Sequence, residues 1–90
     1  MDQDIRVHSR VMERHPEISE VDVREAWSNF ARRQRRGDGK EEYFIAVGFD
    51  RAGRPIEMVA LQTVDGGWFV YHALTPPTKS IMAELGLMER

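Results

Sequence analysis

Few side chains in this 90-residue chain have chemistry to offer: three histidines, a set of arginines and lysines, and no cysteine. His72 stands in Trp68-Phe69-Val70-Tyr71-His72-Ala73-Leu74, two residues before the end of an apolar run. In a regular strand its side chain shares a face with Trp68 and Val70, while Tyr71 points the other way. In that setting it is either a hydrogen-bonded core residue or an acid–base group tuned by its surroundings. Arg54 follows a turn and opens a second apolar run. It is either a solvated strand-end residue or an anion ligand, for which its planar fork is suited. Lys79 follows Pro76-Pro77-Thr78 at a helix start, where a cation opposes the helix dipole, so a functional use is open. Arg32, Arg33, Arg35 and Arg36 form the one basic cluster. It is a solvated helix end, an RNA-backbone contact or a dock for an acidic partner segment.

Other chemistries find no residues to support them. His8 and His15 are seven apart, about 10 Å of rise on a helix, too far to chelate one metal. They read as a residue packed on the sheet and a helix end. No zinc-protease helix, carboxylate cluster, phosphate-binding loop, dinucleotide fingerprint or nucleophile elbow occurs, so neither a metal nor a cofactor is expected. Hydrophobic residues make up 41% of the chain and charged residues 31%, which argues for one folded domain over residues 1–90. So short a chain gains from self-association, so a homodimer is one expected form. Net charge is −2, with eight arginines and seven acids in residues 1–36 and an acidic remainder. The polar opening argues against a signal peptide, and no run approaches the ~20 apolar residues of a membrane span. The absence of cysteine fits a reducing compartment such as the cytoplasm.

The positioning elements follow from periodicity. A first helix is predicted from an Asp2 or Asp4 cap to His15, with Ile5, His8, Met12 and His15 at helical spacing and Pro16 as the stop. Ser19 caps a second helix through Arg36, with Val23, Ala26, Trp27, Phe30 and Ala31 as one stripe and Gly37 and Gly39 as its end. At Glu42 the period changes to two. Strands are predicted from Glu42 to Phe49, Arg54 to Thr63 and Gly67 to Leu74, with Asp65-Gly66 as a tight hairpin turn. Thr78 caps a short last helix ending before Gly86. The predicted fold is α+β: two N-terminal helices on a three-stranded antiparallel meander sheet, with a short C-terminal helix.

Three stretches together resemble the BrnT-like toxins of bacterial toxin–antitoxin pairs, within the RelE-like group. They are Arg14-His15-Pro16-Glu17-Ile18-Ser19 with Asp22, Val23 and Ala26; Val47-Gly48-Phe49-Asp50 with Gly53-Arg54 and Ile56 to Leu61; and Val70-Tyr71-His72-Ala73. The opening His8-Ser9-Arg10-Val11-Met12-Glu13-Arg14 is similar to a related uncharacterised domain family of the same layout. The resemblance covers about residues 5–86.

It implies a helix–helix–sheet fold, metal-independent cleavage of messenger RNA in the cytoplasm, and neutralisation by a small DNA-binding antitoxin. In such cleavage the ribose 2′-hydroxyl attacks the adjacent phosphorus, helped by a base, an acid and cations. On this implication His72 or Tyr71 transfers protons, Arg54 and Lys79 hold the phosphate, and Arg14 and His8 complete the site. Arg32, Arg33, Arg35 and Arg36 join the substrate contacts. Leu74 stands where the family offers an arginine, and the chain is acidic overall. Those two features support an alternative, a non-catalytic binding protein that keeps the fold. A small enzyme acting on a small anion is the third reading.

Overall fold

The computed structural model describes residues 4–37 and 42–88. The elements in order are β1 (Ile5–Val7), α1 (Ser9–Arg14), α2 (Glu20–Ser28), β2 (Phe30–Gly37), β3 (Glu42–Phe49), β4 (Pro55–Gln62), β5 (Trp68–Leu74) and α3 (Lys79–Glu84). They form one five-stranded sheet in the order β1-β5-β4-β3-β2. The β1–β5 pair is parallel and the other three pairs are antiparallel. The expected three-stranded antiparallel meander is therefore corrected to a five-stranded mixed sheet. The meander forms its middle, and each predicted N-terminal helix gives up part of its length to an added strand.

The first addition is β1. Ile5 and Val7 read as helical because they fall in register with His8 and Met12, but they also alternate around Arg6. Pairing decides between the two. Trp68 N–H donates to Asp4 O at 2.7 Å, and His8 N–H donates to Val70 O at 2.8 Å. This pairing covers half of an otherwise open β5 edge and buries Ile5. The helix starts only at Ser9, with the His8 ring as its cap. Nδ1 of His8 accepts from Arg10 N–H at 3.0 Å. The helix ends at His15 before Pro16, as expected. The caps and breakers assigned to Asp2 and Gly39 lie outside the described residues.

The second addition is β2. Helix α2 begins as predicted, with a reciprocal Ser19–Asp22 capping box. It buries Val23, Ala26 and Trp27 completely, then stops at Asn29. Asn29 O accepts from Phe49 N–H at 3.2 Å, and the chain turns along β3 instead of continuing as helix. The arginines favour helix intrinsically, but pairing with β3 from Phe30 to Gly37 overrides that preference. The turn is possible because α2 crosses β3 at Gly48. A Cβ there would lie 1.8 Å from Ala26 O, so any side chain would push the helix off the sheet.

Both faces of the sheet are covered. Trp27, Ile56, Met58, Trp68, Val70 and Ala73 pack under α1 and α2. Ile45 and Val47 pack with Leu85, Ile81 and Met82 on the α3 side. Trp27, Trp68 and Phe44 make tilted and edge-on contacts at 4.9–5.0 Å between ring centres. The Arg33 guanidinium caps this group, 4.8 Å from the Trp68 ring and 5.4 Å from Trp27. The hairpin between β4 and β5 is wider than the predicted two-residue turn. Thr63 N–H donates to Gly67 O and Gly66 N–H to Thr63 O, and of Asp65 and Gly66 only Gly66 has positive φ, +88°.

Two stability outcomes follow. Trp27→Ala removes the largest fully buried side chain and costs about 3–5 kcal/mol, lowering the melting temperature by more than ~10 °C. A shift of a degree or two in calorimetry would contradict the packing described. Gly66→Val forces a β-branched residue to positive φ and costs about 1–3 kcal/mol in a urea titration, whereas Val64→Thr, at an exposed position of the same loop, is neutral.

Candidate active site

Strand β5 carries a bulge where it passes β4. Val59 pairs with His72 but Ala60 pairs with Val70, leaving Tyr71 as the extra residue. The bulge inverts the expected alternation. Trp68, Val70 and Ala73 share the core under α1 and α2, whereas the His72 ring turns to Glu57 on the α3 side. His72 thus leaves the face of Trp68 and Val70, correcting the regular-strand expectation.

Glu57 is the residue that sequence reasoning missed. It sits between the core residues Ile56 and Met58, with 6% of its side chain exposed. A carboxylate this buried must be satisfied, and it is. Oε2 lies 2.8 Å from His72 Nε2. Oε1 accepts from Thr78 N–H at 2.8 Å and from Thr78 Oγ1 at 3.0 Å. Thr78 Oγ1 in turn accepts from Ile81 N–H as the cap of α3. With an ionised carboxylate, which only accepts, Nε2 is the donor of this pair, and Nδ1 of a neutral ring is then the acceptor. The His72 side chain is 37% exposed, so it is open to a reactant. The available signal was a lone acid inside the apolar run Pro55 to Leu61.

Beyond Val70 the β5 edge is no longer covered by β1, and α1 lies alongside it. Between them is a small cleft of about 100 Å³ lined by Arg10, Arg14 and His15 from α1 and its cap, and by Tyr71, His72 and Ala73 from β5. Arg10 and Arg14 are exposed, and His15 Nδ1 stands 3.7 Å from Glu17 Oε2. The cleft is thus lined by residues that carry imidazole, phenol and guanidinium groups, with the His72 ring itself held towards Glu57 on the α3 side. His15 and Arg10 were not among the expected site residues; only the turn of α1 against the β5 edge brings them to His72.

The other expected site residues are placed as follows. His8 caps α1 through Nδ1, with its ring 5.7 Å from that of Phe69. Lys79 is the exposed first residue of α3, next to the Thr78 that binds Glu57. The start of β4 and the end of β5 do lie together, with Thr75 Oγ1 donating to Pro55 O at 2.7 Å. The Arg54 side chain nevertheless turns towards α2. Its Nε donates to Asp50 Oδ2 at 2.7 Å, Nη1 to Glu17 O at 3.0 Å and Nη2 to Asp22 Oδ2 at 3.0 Å. All three guanidinium nitrogens are engaged within the protein, so Arg54 is a buttress for the loop after His15. Arg32, Arg33, Arg35 and Arg36 lie on β2, three strands from β5 and so about 14 Å away across the sheet. They are remote from the cleft.

The Arg54 cluster has an electrostatic consequence. Burial pushes the Asp50 carboxyl up, but hydrogen bonds from the Arg54 side chain and backbone N–H outweigh it and hold the group below the usual carboxylate range. Arg54 is correspondingly raised, chiefly by its side-chain hydrogen bond to Asp50. Among the described residues no three His, Cys, Asp or Glu side chains converge as a metal-binding group. No described helix is long and apolar enough to cross a membrane. The chain matches no protein-family model, no curated protein and no solved structure.

Because the folded-state pKa of Asp50 is depressed, its stabilisation is complete above the unfolded value of about 4 and is lost as pH falls through the folded value. Asp50→Asn should cost about 1–3 kcal/mol at pH 7. In urea titrations from pH 7 to pH 2 the gap between parent and variant should narrow as the acid range is entered. A gap independent of pH would contradict the ion-paired Asp50.

Proposed function

We propose that the protein is a toxin-like endoribonuclease that cleaves RNA at the cleft between α1 and the β5 edge. The observation that carries this reading is His72, oriented by a buried carboxylate on the stretch of β5 that lines a cleft with Arg10, Arg14, His15 and Tyr71. That set supplies what transphosphorylation of RNA requires. His72 Nδ1 takes the proton of the ribose 2′-hydroxyl, and the oxygen attacks the adjacent phosphorus. Arg10 and Arg14 neutralise the non-bridging oxygens as charge builds on them. His15 or Tyr71 donates a proton to the departing 5′ oxygen. The O2′–P bond forms, the P–O5′ bond breaks, and a 2′,3′-cyclic phosphate remains. Glu57 is a positioning residue, holding the imidazole and its tautomer and anchoring α3 at Thr78.

The resemblance to BrnT-like toxins in the sequence supports the same chemistry. It adds messenger RNA as substrate, a cognate DNA-binding antitoxin as partner and the cytoplasm as the site of action. A second reading, a binding protein that keeps the fold, is favoured by one observation. Arg54, the arginine expected to hold phosphate, is bound to the protein's own acids, and Leu74 stands where a second arginine is expected.

The test is incubation of the protein with a single-stranded RNA in chelator. The expected result is fragments ending in 2′,3′-cyclic phosphate, with His72→Ala slower by about 10²–10⁴-fold while still folded at the assay temperature, its stability lowered by about 1–3 kcal/mol through the lost partner of Glu57. Equal cleavage by His72→Ala would remove His72 from the mechanism. Intact RNA with tight binding to a partner protein would establish the second reading.

A further inference from the structure

Strand β2 is an unusual edge. It spans Phe30–Gly37, ends the sheet, and pairs with β3 on one side only among the described residues. Every second residue of such a strand turns its N–H and C=O outward, which makes it a template for another strand. Edges are commonly protected by charged side chains, proline, bulges or a covering element. This one carries four arginines in five positions, and they alternate between faces. Arg33 lies over the Trp27 and Phe30 rings, and Arg35 pairs with Phe44, so both belong to the α2 side. Arg36 contacts Glu84 of α3, and Arg32 pairs with Val47, so both belong to the α3 side.

We propose that β2 accepts an extended acidic segment of a partner protein, which adds to the sheet as a sixth strand. This inference is independent of the cleft at β5. Side chains of an added strand project to both faces in alternation, so glutamates or aspartates on either face would meet arginines directly across. A nucleic-acid backbone follows one surface, and the two-sided arrangement suits it less well.

Like charge disfavours a second copy of the chain at this edge. Antiparallel self-pairing centred on Gln34 puts Arg33 across from Arg35 and Arg32 across from Arg36. Moving the centre by one residue either way puts Arg33 across from Arg33 or Arg35 across from Arg35. The arginines therefore repel self-association at this edge and select an acidic strand. Arg35 is bound to Glu42 at 3.1 Å, but with side chains 66% and 58% exposed that pair is easily exchanged for an incoming carboxylate. Arg32 is exposed and has no carboxylate among the described residues.

The probes are a ten-residue peptide alternating glutamate and valine, its lysine counterpart, the acidic peptide with a central proline, and a ten-nucleotide single-stranded RNA. The readouts are fluorescence anisotropy and backbone hydrogen exchange. The acidic peptide should bind and slow exchange of outward amides in residues 30–37 at least tenfold, while the lysine and proline peptides should not. Arg32→Glu combined with Arg35→Glu should weaken binding at least tenfold. If that variant fails to fold, the proline peptide on the parent decides. Protection of β2 by the RNA in place of the peptide, equal binding of the lysine peptide, self-association through β2, or no protection by the acidic peptide would each overturn the proposal.

Discussion

The Arg54 guanidinium is the tie on which the arrangement of α1, α2 and the sheet depends. It joins the turn between β3 and β4, through Asp50, to the first turn of α2, through Asp22, and to the loop after α1, through Glu17 O. Asp22 completes the α2 capping box with the same carboxylate oxygen that meets Arg54. The start of α2 is thus locked to the sheet by charge, while its last turns are locked by packing of Ala26 and Trp27 over Gly48 and Trp68. A helix held at both ends cannot slide. That holds the loop carrying His15 at the β5 edge and turns the chain after Asn29 onto β3.

Glu57 does for the opposite side what Arg54 does for the first. Its two oxygens reach the end of β5 and the cap of α3, so a six-residue helix with little intrinsic stability has a fixed start. The carboxylate is costly to bury, and its three partners offset that cost. The orientation of His72 and the docking of α3 therefore depend on one residue.

The two sheet edges are managed differently, and each difference has chemical content. At the β5 end, β1 covers only Trp68 to Val70, and the uncovered remainder faces α1 across the cleft. At the β2 end nothing among the described residues covers the strand, and arginines guard it instead. A single continuous sheet holds these two surfaces apart.

Much of the scaffold is legible from the residues alone. The Ser19 and Thr78 caps, the Pro16 stop, the period-two runs of β3, β4 and β5, the buried Trp27 stripe and the positive φ at Gly66 are all local: each depends on a few neighbouring side chains or one backbone angle. His72 and Arg14 were likewise recognisable as candidates by type, and they line one cleft. What required the tertiary structure was non-local. Ile5–Val7 and Phe30–Gly37 suit helix or strand by composition, and only available edges on β5 and β3 turned them into strands. The face of His72 hinged on one extra residue, Tyr71, because a period of two inverts with every inserted position. Arg54 and Glu57 could not be assigned from sequence, since a charged residue's role depends on which distant partners the fold brings within hydrogen-bonding distance. The sequence by itself determined the local elements and which side-chain types are available for chemistry. Long-range strand pairing and the burial of two charges decided where those side chains meet.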